Sequence, residues 1–497
     1  MRKQTMVQAT FIMVIVGLIT KILGVINRIL ITRNLGETGI GVYMLLSPTV
    51  MLLATISTIG LPVAIPTLVS RGEIKESKIL YISLALSLTI STIITMAMLV
   101  LANPIATNLL RDERTALPLM MIGPLMCVVS YTSILKSYFQ GKEQMTPAAI
   151  STLLEQVVRI LLSVIFIGWF LPRGIAHAVA GLMLASIGGE LVSAVILTTT
   201  FLKFKKKKYP DAHFRLPKLE PVNFKDILGI SLPTTGSRFV GTITHFLEPI
   251  IVAKMLFYLG FSSDASTNMY GAVAGFAIPL LFMPSFISGA LTSALIPAIS
   301  KAYKNRDFKT IHKRLSTSIK IANFTCGFYL IIVMIFPGEI MNLLYNSTTG
   351  AEYLKIMAPF FLLLYLQAPL VATLQAIGEA RFALKASVIS SIIKIFVMFF
   401  LLRIESLNIL GLVYAIIINI VILTVWYYKI TAKKLNYSLS KLKVVNGVLV
   451  MAALYLIGYY LRDFVTVEME LLRILIISGV LLILHTILSA FSGLFPK

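Results

Sequence analysis

"MVQATFIMVIVGLITKILGVINRIL", residues 6–30, decides the fold. About 20 apolar residues in a helix cross the roughly 30 Å hydrocarbon core of a bilayer, and this stretch exceeds that length. It is too long for the apolar core of a signal peptide and reads as a first transmembrane helix. Stretches of the same kind recur to the end of the chain. Fourteen spans are expected, at 6–30, 40–69, 79–102, 116–138, 147–171, 175–201, 227–259, 269–300, 316–337, 353–377, 384–402, 407–428, 444–461 and 471–494. The composition agrees: 57% of the 497 residues are hydrophobic, 13% are charged, and the mean hydropathy is +0.90. The expected class is an all-α integral membrane protein.

The net charge is +23. A nucleic-acid partner would need a basic face on a soluble domain, and no polar stretch is long enough to form one. The membrane explains the charge instead. With the amino terminus in the cytoplasm, the outside loops hold 6 basic and 10 acidic residues, while the inside segments hold most of the remaining Lys and Arg. Cytoplasmic loops collect these residues, so a multi-pass protein of the cell membrane with both termini cytoplasmic is expected. Cys127 and Cys326 each lie in an apolar run and read as packing residues, not a disulfide.

"KFKKKKYPDAHFRLPKLEPVNFK", 203–225, is too polar to span. It reads as a basic cytoplasmic linker, with contact to anionic membrane lipids as a second reading. It divides two similar halves. "TKILGVINR" at 20–28 matches "SRFVGTITH" at 237–245, pairing Lys21 with Arg238, Gly24 with Gly241 and Arg28 with His245. "LPVAIPTLVSRGE" and "LTSALIPAISKAY" each put Ile-Pro before an inside loop. Gln140 precedes Arg159 by 19 residues, and Gln375 precedes Lys394 by the same interval. The expected organisation is a first lobe at 1–202, the linker at 203–226, a second lobe at 227–430, and two further helices in 431–497. Six helices per repeat give both copies one orientation, an architecture that transporters use with a site between the halves.

Charges inside spans are costly, about 2.5–3.5 kcal/mol each on insertion scales, so each needs a partner, water or a function. Lys21, Gly24 and Arg28 lie at i, i+3 and i+7 on one helix face. They read as a cationic wall of a hydrated cavity; the competing reading is that Arg28 snorkels to the outer interface. Arg238, Gly241 and His245 repeat the spacing, and Glu248 follows just before Pro249. Glu155 and Arg159 stand at i, i+4, the spacing of a neutralising helix pair, whereas the matching pair in the second half is Ser390 and Lys394. The expected substrate-binding residues are therefore Lys21, Gly24, Arg28, Arg159, Arg238, His245 and Lys394. Glu155 and Glu248 are candidates for coupling or charge balance. Lys254, Lys320, Lys355 and Arg473 lie nearer span ends, where snorkelling is the default. No GxxxxGK[ST] or HExxH motif is present, and no catalytic residue, metal ligand or cofactor is expected.

Several blocks carry a resemblance: "KQTMVQATFIMVIVGLITKILGVINRILITRNLGETGIGVYML", "GLPVAIPTLVS", "YFQGKEQMTPAAISTLLEQVVRI", "MYGAVAGFAIPLLFMPSFISGALTSALIPAISKAY" and "LQAIGEARFALKASVISSIIKI". Together they resemble the polysaccharide-flippase branch of the multidrug/oligosaccharidyl-lipid/polysaccharide exporter superfamily. The resemblance implies a MATE-like fold of fourteen helices around a central cavity, and an undecaprenyl-pyrophosphate-linked sugar as cargo, here a peptidoglycan precursor for spore cortex. It places Lys21 and Arg28 in the stretch where lipid II flippases use first-helix cations. The Arg and Glu that those flippases carry in the eighth helix are absent from "YGAVAGFAIPL".

A pyrophosphate needs compensating cations in a cavity of reduced dielectric, and charge-assisted bonds from Lys or Arg supply them. Two other functions compete. A cation-coupled multidrug exporter would use buried carboxylates, of which this chain has few. A non-transporting scaffold recruiting cell-wall synthases would make no use of the intramembrane cations.

Overall fold

The structure is a computed structural model that describes residues 6–71, 76–208, 221–465 and 469–495. Residues 209–220 of the basic linker lie outside the described residues. The helices are α1 (Met6–Thr58), α2 (Leu61–Arg71), α3 (Glu76–Pro104), α4 (Ala116–Gly141), α5 (Met145–Phe170), α6 (Ile175–Lys208), α7 (Pro221–Tyr258), α8 (Ser263–Tyr270), α9 (Ile278–Leu281) and α10 (Ser285–Lys304). They continue as α11 (Phe308–Ile335), α12 (Pro337–Tyr345), α13 (Ala351–Ala376), α14 (Ala380–Leu401), α15 (Leu410–Leu435), α16 (Lys441–Phe464) and α17 (Glu470–Phe491). Only helices and turns occur among the described residues, as a bilayer requires of backbone that must satisfy its own hydrogen bonds.

The fourteen expected spans are recovered once two breaks are read correctly. Twelve helical runs are long and apolar enough to cross, and α8–α10 add a thirteenth that bends by 50° between Leu281 and Ser285. The first run, Ile15–Ser70, has 56 residues, about 84 Å of helix and more than twice the thickness of a bilayer core, so it divides into two spans. Gly36 interrupts α1 with φ 68 and ψ −173, a left-sided conformation open to glycine and strained for other residues. The break falls in the polar stretch "ITRNLGETG", 31–39. The second of these spans breaks again at Ile59 and Gly60, both at positive φ, before resuming as α2.

Residues 1–271 form one compact unit and 272–497 another. In the first, α4 packs against α2, α3 and α6, and α5 lies along α6. Leu61, Ile79, Ile134, Phe139 and Leu197 meet in its core. The contact boundary differs from the repeat boundary: α7 and α8 pack with α1, and α7 also touches α2 and α3. In the second unit α13 is central, against α10, α11 and α15, with Ile299, Leu315, Leu374 and Tyr427 in the core. A separate cluster of Phe336, Leu454, Ile477 and Leu481 ties α16 and α17 to α11.

Lipid tails are as apolar as leucine, so close backbone approach and interhelical hydrogen bonds hold such a bundle together. A Cβ on Gly123 would stand 2.7 Å from Thr95 Cα, which is why α3 and α4 pack so tightly. Ser91 bonds Ser130 at 2.9 Å and Tyr131 bonds Thr198 at 2.7 Å. Such bonds contribute about 0.6 kcal/mol each, up to roughly 2.

The repeat is visible inside each unit. The 235-residue interval that relates Arg159 to Lys394 also relates Thr132 to Gln367. Thr132 on α4 donates to Glu190 on α6 at 2.7 Å, and Gln367 on α13 donates to Thr424 on α15 at 2.9 Å. Equivalent helices are cross-linked from equivalent donor positions to acceptors within one residue of equivalence, a charged acceptor in one half and a neutral one in the other.

Candidate functional site

The two glycine-spaced stripes sit on α1 and α7, which pack against each other. Lys21 is exposed, and Gly24 is half-buried with no atom within 4 Å of where a Cβ would stand. Gly241 is likewise open, and His245 is exposed. These glycines therefore do not serve helix packing; they leave space beside the stripe. Arg28 is half-buried: its guanidinium donates to Met44 Sδ at 3.1 Å and lies 5.8 Å from the Tyr43 ring. It reaches toward the span after Gly36. Arg238 belongs to the same stripe by position on α7, but its side chain lies outside the described residues. Glu248, 8% exposed, accepts the hydroxyl of Tyr270 on α8.

Arg159 sits in a four-charge network across α4, α5 and α6. It is bonded to Glu155 one turn earlier, and its guanidinium is 3.9 Å from Glu190. Glu155 also accepts Lys136 Nζ at 2.7 Å. Two nearly buried carboxylates thus face two cations whose side chains keep about a quarter of their exposure. Gly189 brings α6 against α5 here, since a Cβ would lie 2.8 Å from the Glu155 carbonyl. Lys136 was not singled out from the sequence, because it stands near the end of its span and reads as a loop cation. Lys394 in the second unit has a different setting. It is 5% exposed, and one turn before it Ser390 donates to Asn419 Oδ1 at 2.6 Å.

A further cluster lies in loops between spans, where intramembrane charge gives no signal. Asp112 caps the short turn 113–115, accepting Arg114 N–H at 3.1 Å. Arg114 returns a two-pronged contact to the Asp112 carboxylate, at 2.9 and 2.6 Å. Thr267 of α8 donates to the same carboxylate at 2.7 Å, and Arg114 reaches Asp264 at 2.6 Å. Asp112 is 2% exposed, whereas the Asp264 side chain is 72% exposed. The Arg114 guanidinium is held above its ordinary pKa, chiefly by its hydrogen bond to Asp112. It therefore stays charged at any physiological pH. Beside this cluster α1 and α8 cross with almost no gap: a Cβ on Gly271 would stand 2.7 Å from Gly41 Cα.

Comparison with known proteins agrees with this architecture. Residues 6–303 match the "Polysaccharide biosynthesis protein" family and 249–400 match MatE. The chain is 39% identical to Stage V sporulation protein B of Bacillus subtilis (strain 168), over 92% of this chain and 89% of that one. It is 22% identical to Lipid II flippase MurJ of the same organism, covering 78% of this chain and 76% of that one. Among solved structures, an inward-facing multidrug resistance MATE family transporter of the MOP superfamily superposes with a TM-score of 0.67 at 17% identity. It covers 84% of this chain and 94% of that one, a likeness of fold. The long apolar helices, the internal repeat and these matches have one meaning: the chain belongs to the polysaccharide biosynthesis protein family and has the MATE-like fold.

Proposed function

We propose that the protein is a flippase that carries an undecaprenyl-pyrophosphate-linked glycan, a peptidoglycan precursor for spore cortex, outward across the cell membrane by alternating access. The observation that carries this reading is the cationic stripe of α1, where Lys21 and Arg28 flank Gly24 and open space lies beside the glycine. A pyrophosphate bears about two negative charges and binds best where Lys and Arg outnumber acids in a medium of reduced dielectric. The sequence puts a second stripe at Arg238, Gly241 and His245, and a buried cation at Lys394. Similarity to Stage V sporulation protein B and to Lipid II flippase MurJ supports the same cargo class.

Alternating access also needs an outside closure. The Asp112–Arg114–Thr267 cluster supplies one, because it ties the turn after α3 to the start of α8 on the acidic-loop side. Flipping of fluorescent lipid II, or of its undecaprenyl-pyrophosphate analogue, in proteoliposomes tests the reading. Lys21→Gln and Arg238→Gln should each lower the rate tenfold or more with insertion and melting unchanged. Full activity in the double variant would reject the substrate role and favour the scaffold.

A multidrug exporter is the second reading, favoured by the nearly buried Glu248 beside Tyr270. Drug resistance conferred on a sensitive host, lost in Glu248→Gln, would establish it in place of the first.

A further inference from the structure

A cavity opens where the second span breaks between α1 and α2. About 340 Å³ of space lies between Thr55, Thr58 and Gly60 on one side and Val129 and Ser133 of α4 on the other. That volume is within the range of about 300–1,000 Å³ typical of small-molecule sites. A bare ion would leave most of it empty. Helix α2 has 11 residues, so the break stands about 16 Å from the end of the span at Arg71, at 1.5 Å per residue. Half of a bilayer core is about 15 Å, which puts the cavity near the midplane, where transporters with discontinuous helices hold their cargo.

The walls are rich in hydrogen-bond acceptors. Thr55 donates to the Met51 carbonyl at 2.9 Å, and Thr58 donates to the Ala54 carbonyl at 2.8 Å. Both protons are spent within the helix, and each Oγ1 keeps lone pairs for an incoming donor. Helix α1 ends at Thr58, and four residues further on Pro62 has no N–H to offer the Thr58 carbonyl. Across the cavity the Ser133 hydroxyl can both donate and accept. Ala54, Pro62 and Val129 supply small apolar faces between these groups. Such a surface matches a pyranose ring, which carries hydroxyl donors at its rim and C–H groups on its faces. The backbone at the break is strained: Ile59 stands at φ 39, where a β-branched residue is an outlier, and Gly60 follows at φ 67. Strain of this kind collects at ligand sites, and here it ends α1 and opens the cavity.

We infer that this cavity is a glycan subsite. One sugar of the lipid-linked cargo donates its hydroxyls to Thr55 Oγ1, Thr58 Oγ1 and the Thr58 carbonyl, and exchanges a further bond with Ser133. The subsite rests on the cargo class proposed above and adds a contact for the sugar, apart from the cations that meet the pyrophosphate. It makes the second span and α4 the part of the molecule that reads whether the lipid carries a sugar.

Binding of two probes to the full chain in proteoliposomes tests it: undecaprenyl pyrophosphate bearing a disaccharide, and undecaprenyl pyrophosphate alone. The wild type should hold the glycosylated probe more tightly, and the ratio of the two affinities is the readout. Thr58→Val and Ser133→Ala remove one hydroxyl each and should each lower that ratio about fivefold, the effect of one hydrogen bond. Ser133→Leu, which fills the cavity from a half-buried position, should bring the ratio close to one. Lys21→Gln should weaken both probes together and leave the ratio in place. A wild-type ratio of one, or a ratio that the substitutions at Thr58 and Ser133 do not move, would overturn the subsite while the cargo reading stands. Failure of the wild type to bind either probe would overturn both.

Discussion

Glu155 is the acceptor for two cations at once, one from its own helix and one from α4. Removing its charge leaves Lys136 and Arg159 facing Glu190 alone. Breaking a buried pair costs about 3–5 kcal/mol, but both cations here keep partial exposure, so about 1–3 kcal/mol is expected for Glu155→Gln. Lys136→Met added to that variant should recover part of the loss, because it removes the unmatched cation. A double-mutant cycle on melting in detergent reads the coupling, and strictly additive losses would contradict the network. The loop cluster makes a sharper contrast between neighbouring acids. Asp112 is desolvated and takes three kinds of donor, whereas Asp264 is mostly in water. Asp112→Asn should weaken the closed outside by about 2–4 kcal/mol, and Asp264→Asn by less than about 1. Reactivity of Ser266→Cys, a buried position beside the cluster, toward a membrane-impermeant thiol reagent reports the difference. Equal reactivity in both variants would remove Asp112 from the closure.

At the scale of elements, the crossing of α1 and α8 is set by backbone contact and not by side chains. A Cβ at Gly41 would stand 2.5 Å from the Thr267 carbonyl, and one at Gly271 2.7 Å from Gly41. Neither neighbour can yield by changing rotamer, since both are backbone. Gly271→Val should therefore push the two helices apart, at roughly 1–3 kcal/mol. The expected result is a raised reactivity of Ser266→Cys with little change in melting, because the cores around Phe139 and Leu374 are untouched. Global unfolding in its place would show that the contact holds the bundle and does not gate it. The charged and neutral forms of one repeat position, Thr132–Glu190 and Gln367–Thr424, show how a duplicated element diverged while keeping its tie.

For the whole molecule, charge and potential would set the direction of the proposed export. Export driven by the membrane potential would need no nucleotide site, and the sequence carries no GxxxxGK[ST] motif. Moving two negative charges outward against an inside-negative membrane gains about 4–5 kcal/mol at 100 mV. Flipping in vesicles should accelerate with the potential negative on the basic-loop side and slow when the sign is reversed. Indifference to sign would exclude the potential as the driving force.

The spans, the charge bias of the loops and the repeat were legible in the residues alone. A bilayer imposes apolar length and loop charge on each segment separately, so local composition carries them. Of the partners, the Glu155–Arg159 pair was legible from its i, i+4 spacing and the rest were not. Arg159 has an acid at i, i+4, but Glu155 also binds Lys136 on α4, and Arg159 nears Glu190 on α6. Asp112 meets Thr267 across 155 residues. Which charges share a neighbourhood depends on how helices pack, and packing is decided by glycine contacts and side-chain shape that no spacing along one helix encodes. The bilayer wrote the first set of facts into every segment; only the assembled bundle decided the second.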